Sequence, residues 1–225
     1  MKKKILIAVF SVILLAAVVV FACIGAGAFT TDEMTKGIWR ALGRIETQEP
    51  ANINQAGEEI AYVGDHITVT KSDYDRYYQR AQLAAPDEDV TEEALNNIAM
   101  REIWCYLGHE AGIPDDDEAF QAWLKQYRET VESADNYKDV LVYMGGADMT
   151  PEEYWQWAQT SETFRKEWYA TLYPNQLQEE FQTEQAKELA SGETPHVTWN
   201  EYVREYKKNA IENEHLRSYD GSQEK

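Results

Sequence analysis

The chain of 225 residues carries 40 Asp and Glu residues against 21 Lys and Arg residues, a formal net charge of −19 at pH 7. This length accommodates one domain, with or without a membrane anchor. The acidic balance argues against a nucleic-acid-binding protein, because such proteins neutralise phosphates with Lys and Arg, and against a domain that lies flat on an anionic bilayer.

The N-terminal segment differs in kind from the rest of the chain. Lys2, Lys3 and Lys4 precede an uncharged and mostly apolar run over residues 5–29. A helix needs about 20 apolar residues to cross a bilayer core, whereas the apolar region of a cleaved signal peptide has about 7–15 residues. The segment therefore predicts an N-terminal transmembrane helix that is retained as a single-pass anchor. By the positive-inside rule, the N-terminus lies in the cytoplasm and the chain after residue 29 lies outside.

Two alternatives for this segment stay open. An A-x-A motif allows cleavage after Ala28, and the sequence V-F-A-C resembles a bacterial lipobox, which would place a lipid on Cys23. Under all three interpretations the remainder of the chain lies outside the cytoplasmic membrane. That remainder keeps all 40 acidic residues but only 18 of the 21 basic ones, a net charge of −22. It indicates a solvated acidic surface, or a surface that meets cationic partners.

The two cysteines are not expected to pair. Cys23 lies in the apolar segment and Cys105 lies in a predicted helix. The exported domain therefore depends on an ordinary core and not on a disulfide framework.

Residues 30–57 are predicted to form a juxtamembrane linker. A short helix within it is expected to end near Leu42, where Gly43 weakens it. Residues 58–70 then place strand-forming residues on either side of Gly64, which predicts a small hairpin or an extended arm. Such an arm must pack on helices, because an isolated hairpin is marginally stable in water.

Local signals divide the next part of the chain into helices. Thr70 is predicted to cap a helix that ends at Pro86. A second helix is expected to begin at Thr91 and to stop at Gly112. Its apolar residues recur at helical spacing, and the two helices that follow carry similar stripes: Leu95, Ile98, Ala99, Ile103, Tyr106 and Leu107; Phe120, Trp123, Leu124, Tyr127 and Val131; and Tyr137, Val140, Leu141 and Met144.

Thr150 and the proline after it give the clearest helix start in the chain, since they combine an N-cap, Pro at the first helical position and Glu at the capping-box position. The apolar spacing continues through Ser161, so one long helix is expected, kinked or split at Pro174. A short connector over residues 191–197 precedes a last amphipathic helix that starts at Trp199.

These elements predict an all-α fold, because helices dominate and no βαβ alternation is present. The fold consists of an N-terminal membrane segment over residues 1–29, a linker over residues 30–57 and a multi-helix domain over residues 58–217 with a small extended arm. Residues 218–225 are predicted to be a disordered tail.

No catalytic, cofactor-binding or metal-binding motif stands out. His66, His109, His196 and His215 are scattered, and none has the spacing of a zinc ligand. The acidic run at residues 115–118 lacks the alternating ligands and the central Gly of an EF-hand, so it is interpreted as charge at a helix N-terminus. We therefore expect no cofactor and no bound metal.

Aromatic residues are the unusual feature of the composition, with 7 Trp and 14 Tyr. Most are expected in the core. Several are neighbours in sequence and cannot all face one core, and aromatic side chains left over from packing form apolar surface that often marks a binding site. The predicted client-binding residues are Tyr77, Tyr78, Trp104, Trp123, Trp155, Trp157, Trp168 and Tyr169.

The order of several motifs is similar to that in a known family. The arm reads VGDHIT over residues 63–68, and it is followed by ALNNIAMREIWCYLGHEAGI over residues 94–113, YMGGADMTPEEYWQ over residues 143–156 and WNEYVREYKKNAIE over residues 199–212. In this order they resemble the N-terminal chaperone domain of SurA-like and PrsA-like extracytoplasmic folding factors. The resemblance implies a helical domain that holds unfolded or extended segments of exported proteins, and it carries over no catalytic residue.

One departure from the family limits what the resemblance implies. Members often carry a parvulin-type isomerase domain before the last helix, whereas here only residues 191–197 occupy that place. We therefore expect a membrane-anchored chaperone-like protein without isomerase activity, which binds exported polypeptides or an envelope protein. A non-catalytic adaptor or structural subunit of a cell-envelope complex is the alternative, and a hydrolase with an unrecognised carboxylate site is a third.

Overall fold

The computed structural model describes residues 33–47, 59–135, 137–191 and 197–219. These ranges are mostly helical, in agreement with the expected all-α class. In chain order the elements are α1 (Glu33–Thr47), β1 (Ile60–Val63), β2 (Thr68–Thr70), α2 (Lys71–Ala84), α3 (Thr91–Glu110), α4 (Asp117–Glu132), α5 (Tyr137–Gly146), α6 (Pro151–Thr160), α7 (Glu162–Tyr169), α8 (Leu172–Ser191), α9 (Trp199–Asn213) and β3 (Arg217–Ser218).

Within these ranges, no helix combines the length and the apolar character that a membrane crossing requires. The expected transmembrane helix at residues 5–29 lies outside the described residues, as do the alternatives at Ala28 and Cys23.

Side-chain caps fix the starts of several helices. The Asp73 N–H donates to Thr70 Oγ1 over 3.2 Å at the start of α2, and Thr150 forms the expected capping box with Glu153 at the start of α6. Thr198 forms a second capping box, with Glu201, at the start of α9. Each cap satisfies backbone N–H groups that have no partner inside the helix, and the predicted helix starts at these residues are confirmed.

The arm is an antiparallel hairpin with a third strand added to it. β1 pairs with β2 on one side and with β3 on the other. Ser218 lies opposite Tyr62 in this sheet, so the expectation that the disordered tail begins at Ser218 is wrong at its first residue. Backbone pairing with β1 holds that end of the chain, while residues 220–225 lie outside the described part.

Among the described residues, the buried apolar side chains of the helical body form three clusters. The first lies under the hairpin and α3, the second lies between α4, α5, α6 and α7, and the third lies between α2 and the start of α3. Their most buried members are Val69, Ile98, Ala99 and Ile103 in the first cluster, Phe120, Met144, Trp155 and Ala158 in the second, and Val90 and Ala94 in the third.

The first described helix continues past the glycine that was expected to weaken it. Gly43 lies inside α1, and a Cβ atom there would overlap the backbone carbonyl of Tyr143 in α5. A Cβ atom on Gly146 would in turn overlap the backbone of Arg40. The two glycines therefore permit a close crossing of α1 and α5, and helical packing begins before residue 58.

The long helix expected after Thr150 is divided at two points, neither of which is Pro174. Ser161 ends α6, and its Oγ accepts a hydrogen bond from the Phe164 N–H over 3.2 Å at the start of α7. α7 ends at Tyr169, and α8 begins at Leu172. Pro174 lies in the first turn of α8, where a helix needs no N–H from it.

Candidate functional site

Two features of the described residues are unlike ordinary packing, and the first is a cluster of buried ion pairs around Arg101. The side chain of Arg101 is only 3% exposed, and it lies on α3 between Ile98 and Cys105. Its Nη1 donates to Asp73 Oδ1 over 3.3 Å and to Glu167 Oε1 over 3.2 Å, and its Nε donates to Glu102 Oε1 over 3.0 Å. One guanidinium therefore joins α2, α3 and α7.

A second set of pairs extends this cluster to α1. Arg80 on α2 pairs with Glu46 at the end of α1. The Tyr77 hydroxyl donates to Glu167 Oε1 over 3.0 Å, and the Arg80 guanidinium lies over the Tyr77 ring, 4.7 Å from its centroid. Arg76 Nη2 also lies 3.3 Å from Asp73 Oδ1. We call these residues together the buried charge cluster: Glu46, Asp73, Arg76, Tyr77, Arg80, Arg101, Glu102 and Glu167.

The pKa directions show how the buried charge cluster is balanced. Burial disfavours the charge of Asp73, yet the attraction of Arg101 and Arg76 and the hydrogen bond from Arg101 leave its pKa below the ordinary value. The pKa of Glu167 is likewise lowered, because Arg101, Arg80 and the Tyr77 hydroxyl outweigh its burial. Burial and the neighbouring Glu167 raise the pKa of Tyr77. Near neutral pH, Asp73 and Glu167 therefore stay ionised and the Tyr77 phenol stays protonated, which suits a network that holds helices together.

Sequence reasoning missed this cluster, although one signal was present. Arg101 falls at helical spacing between Ile98 and Cys105, on the face of α3 that turns inward. A charged residue on an inward face requires a buried partner, because an unpaired buried charge is strongly unfavourable. Asp73 supplies that partner from a different helix, and no local pattern indicates which one.

Four of the eight predicted client-binding residues are buried, and the other four are partly buried. Trp155, Trp168, Tyr169 and Trp104 are 2%, 3%, 3% and 7% exposed. In this structure these four side chains offer no surface to a client, contrary to the expectation that aromatic residues would be left over from packing. Trp123 and Trp157 are partly buried against the second cluster, Tyr78 is partly buried against the third, and Tyr77 belongs to the buried charge cluster.

The physical reason is that aromatic residues adjacent in sequence find separate partners. The Tyr169 ring lies against Gly108, where a Cβ atom would come within 3.2 Å of it. Its hydroxyl donates to the Ile113 carbonyl over 2.7 Å and lies 3.1 Å from His109 Nδ1. Trp168 instead packs against Phe120, with ring centroids 5.2 Å apart. Tyr169 thus stabilises the turn between α3 and α4, while its neighbour fills the second cluster.

The second unusual feature is the pair of helices α8 and α9. Tyr173 Oη lies 3.5 Å from Tyr206 Oη, the ring of Phe181 lies 4.9 Å from that of Tyr202, and Gln185 Nε2 donates to the Val197 carbonyl over 2.7 Å. The residue numbers of the partners on α9 and just before it fall from 206 to 202 to 197 as those on α8 rise from 173 to 181 to 185, so the two helices run antiparallel.

Aromatic rings hold this helical hairpin together without being fully buried. α9 has no buried residue, and Leu177 is the buried residue of α8. Trp104 connects the hairpin to the body by stacking on Tyr206, with ring centroids 5.3 Å apart. Near the end where the chain passes from α8 to α9, the apolar residues Leu189 and Val197 are 61% and 46% exposed. We call the partly exposed rings of α8 and α9 the aromatic seam: Tyr173, Phe181, Trp199, Tyr202 and Tyr206.

Contacts at the other end of α9 fix its position relative to the β-hairpin. Glu214 is buried and accepts a hydrogen bond from the His66 N–H over 2.9 Å, while His66 Nδ1 lies 3.0 Å from its Oε1. His215 Nδ1 lies 2.7 Å from Asp65 Oδ2, and this contact lowers the pKa of the Asp65 carboxyl. The end of α9 that contains Glu214 is therefore held to the β-hairpin.

Among the described residues, no group of three or more His, Cys, Asp or Glu side chains is arranged to hold a metal ion. The Cys105 thiol is free, and burial raises its pKa to about 12. Comparison with known protein families, with curated proteins and with solved structures finds no match to this chain.

Proposed function

We propose that this chain is a membrane-anchored, extracytoplasmic, chaperone-like protein that binds unfolded or extended segments of exported proteins through the aromatic seam, without isomerase activity. The observation that carries the proposal is that no aromatic ring of α8 or α9 is fully buried. The body, in contrast, fully buries six of its rings and partly buries others: Trp104, Phe120, Tyr154, Trp155, Trp168 and Tyr169 are the buried ones. Partly exposed apolar surface on a folded domain is typical of sites that bind other polypeptides.

The energetics of such a surface suit weak and reversible binding. Covering about 300 Å² of apolar surface, the lower end of the size of a typical apolar surface patch, contributes about 7.5 kcal/mol, at about 25 cal/mol per Å². Association itself costs about 4–15 kcal/mol in lost freedom. The seam alone therefore holds a client only transiently, as a folding factor requires, and a longer client gains affinity by covering the exposed residues Leu189 and Val197 as well.

The chemistry of the seam favours broad rather than sequence-specific recognition. Rings supply large apolar faces with few directional hydrogen bonds, and the Tyr hydroxyls accept or donate without a fixed partner geometry. The Tyr173 and Tyr206 hydroxyls lie 3.5 Å apart, at the long limit of a hydrogen bond. The order of motifs that resembles the SurA-like and PrsA-like chaperone domains supports the same interpretation.

An aggregation assay tests this function directly. The full chain in a non-ionic detergent is mixed with a chemically unfolded client, and light scattering follows aggregation on dilution. We expect slower aggregation with the wild-type chain, and loss of that effect in the double variant Trp199→Gln, Tyr202→Gln. Leu141→Gln is the control, because Leu141 is 39% exposed but lies on α5, away from the seam.

Two further measurements keep the test decisive. Leu189→Gln changes a residue that is 61% exposed, so it leaves the fold intact while removing apolar surface from the C-terminal end of α8. A partial loss of the effect in this variant supports the seam even if the double variant is unstable. No effect of the wild-type chain at an equimolar ratio contradicts the proposal, and recovery of one stoichiometric partner from membranes favours the adaptor alternative.

A further inference from the structure

The surface beside the aromatic seam carries a row of carboxylates along α8. Glu180, Glu184 and Glu188 follow one another at intervals of four residues. Glu184 and Glu188 come three residues after Phe181 and Gln185, whose side chains contact Tyr202 and Val197. Residues three or four apart are neighbours on a helix surface, so the row lies directly beside Phe181. Glu180 and Glu184 are exposed, and Glu188 is partly exposed.

This row is unfavourable for the helix that carries it. Like charges four residues apart destabilise a helix, and the described structure offers little compensation. Lys187 Nζ pairs with Glu184 over 2.9 Å, Gln176 donates to Glu180 over 2.9 Å, and within the described ranges Glu188 has no ion pair. Four Glu residues against one Lys give α8 a net charge of −3. A cationic partner would relieve this repulsion.

We infer that the aromatic seam takes extended polypeptide segments in which Lys or Arg alternates with apolar residues, an inference that rests on the proposed function. Successive carboxylates of the row are about 6 Å apart along the helix axis, since each residue rises 1.5 Å. Side chains on one face of an extended chain are about 6.6 Å apart. A segment that lies along the boundary between the row and the rings therefore turns its cationic side chains towards the carboxylates and its apolar side chains, on the opposite face, towards the rings.

The net charge of the rest of the chain also favours a cationic segment as the partner. The part after residue 29 has a net charge of −22, so it attracts cationic segments over distances set by the ionic strength. The same field repels a second copy of this chain, which disfavours self-association through the seam. An acidic or neutral segment gains the apolar contacts alone.

The test compares three dye-labelled peptides that share one apolar sequence and carry Lys, Gln or Glu at every second position. Fluorescence anisotropy measures their binding to the full chain in non-ionic detergent, at about 50 mM and about 500 mM salt. We expect the Lys peptide to bind about tenfold more tightly than the Gln peptide at low salt, and the Glu peptide to bind most weakly. At high salt the affinities of the three converge.

Two triple variants separate the row from the overall charge. Glu180→Gln, Glu184→Gln, Glu188→Gln removes the row and is expected to abolish the preference for Lys without unfolding the chain, because it removes repulsion within α8. The matched control Glu88→Gln, Glu129→Gln, Asp135→Asn changes the net charge equally at exposed positions outside α8 and α9. It is expected to keep the preference.

The outcomes distinguish this inference from the function on which it rests. Equal binding of the three peptides at low salt, or equal loss of the preference in both triple variants, overturns the cationic client while leaving the chaperone-like function in place. Absence of binding by all three peptides contradicts the proposed function itself. A dimer that forms through the seam, seen by light scattering and lost in Trp199→Gln, Tyr202→Gln, identifies a second copy as the occupant and overturns the inference.

Discussion

The buried charge cluster and the aromatic seam use opposite means to join helices. In the cluster, Arg101 is enclosed and has bonds of defined geometry to carboxylates on three helices. In the seam, rings from α8 and α9 touch without full burial and with few hydrogen bonds. The first arrangement tolerates little movement, because each displaced partner leaves a buried charge unpaired. The second tolerates rearrangement, because apolar contact has no fixed direction. The comparison indicates helices fixed by directional ion pairs around Arg101 and a more adaptable helical pair, α8 and α9, packed beside them.

The largest expected effect is the loss of the central guanidinium. Arg101→Ala leaves Asp73 and Glu167 without their main partner, and breaking a buried ion pair on one side costs about 3–5 kcal/mol of unfolding free energy. Urea denaturation measures this loss. Arg204→Ala is the control, because Arg204 is exposed on α9, and a change within about 0.5 kcal/mol is expected there. A loss below about 1 kcal/mol in Arg101→Ala would contradict the role given to the cluster.

Acid is expected to weaken the same cluster, but by less than Arg101→Ala, because protonation removes charge instead of leaving it unpaired. The pKa values of Asp73 and Glu167 are lower in the folded protein than their ordinary values. Their stabilisation is therefore complete above the unfolded pKa values, near about 4, and is lost as the pH falls through the lower folded values. Thermal melts between about pH 6 and pH 3 measure the slope. Asp73→Asn should flatten the dependence of the melting temperature on pH, and an unchanged dependence would contradict the role given to Asp73.

The glycine crossing between α1 and α5 offers a matched pair of variants. Gly146→Ala places a methyl group into the backbone of Arg40, and such overpacking costs about 1–3 kcal/mol. Gly145→Ala meets no atom within 4 Å, and it is expected to stabilise the helix by about 0.5–1 kcal/mol, because Ala restricts the unfolded chain. Denaturation midpoints give both values. Equal effects of the two substitutions would show that α1 and α5 do not cross closely at this point.

The smallest effect is expected at the start of α9. Thr198→Ala removes a capping box and costs about 1 kcal/mol. Because Trp199 follows directly, we expect the loss to appear as faster amide exchange in the first turn of α9 and as weaker client binding. Thr150→Ala removes the corresponding box from α6 and serves as the control, which should lose similar stability and keep client binding. Equal loss of client binding in both variants would mean that binding does not depend on the start of α9 in particular, and would contradict a role for the aromatic seam.

Local chemistry explains which parts of the fold were predictable. Thr70, Thr150 and Gly112 act within one turn of their own positions, so the helix boundaries they specify are confirmed. Gly112 has a φ of 70°, a conformation that glycine adopts readily. The prediction that Gly43 weakens its helix was wrong, because Gly43 packs against the backbone of Tyr143, a residue far away in the sequence. The addition of β3 to the hairpin likewise depends on partners far away in the sequence.

The candidate site was less predictable than the fold. Eight aromatic residues were selected because neighbours in sequence could not share one core. The described residues form three clusters, which bury four of the eight and partly bury the other four. Phe181, Trp199 and Tyr202 were passed over, because their helical spacing is the same as that of core residues. Spacing indicates which side chains share a face; it does not indicate how much of the partner helix covers that face.

Amide hydrogen exchange of the full chain, with and without a permanently unfolded client, tests the central claim most directly. A client that binds the aromatic seam should slow exchange in α8 (Leu172–Ser191) and α9 (Trp199–Asn213), and leave it unchanged around Arg101 in α3. Slowed exchange confined to the body, or no change in α8 and α9 under conditions where the client binds, would contradict the proposal that clients bind the aromatic seam.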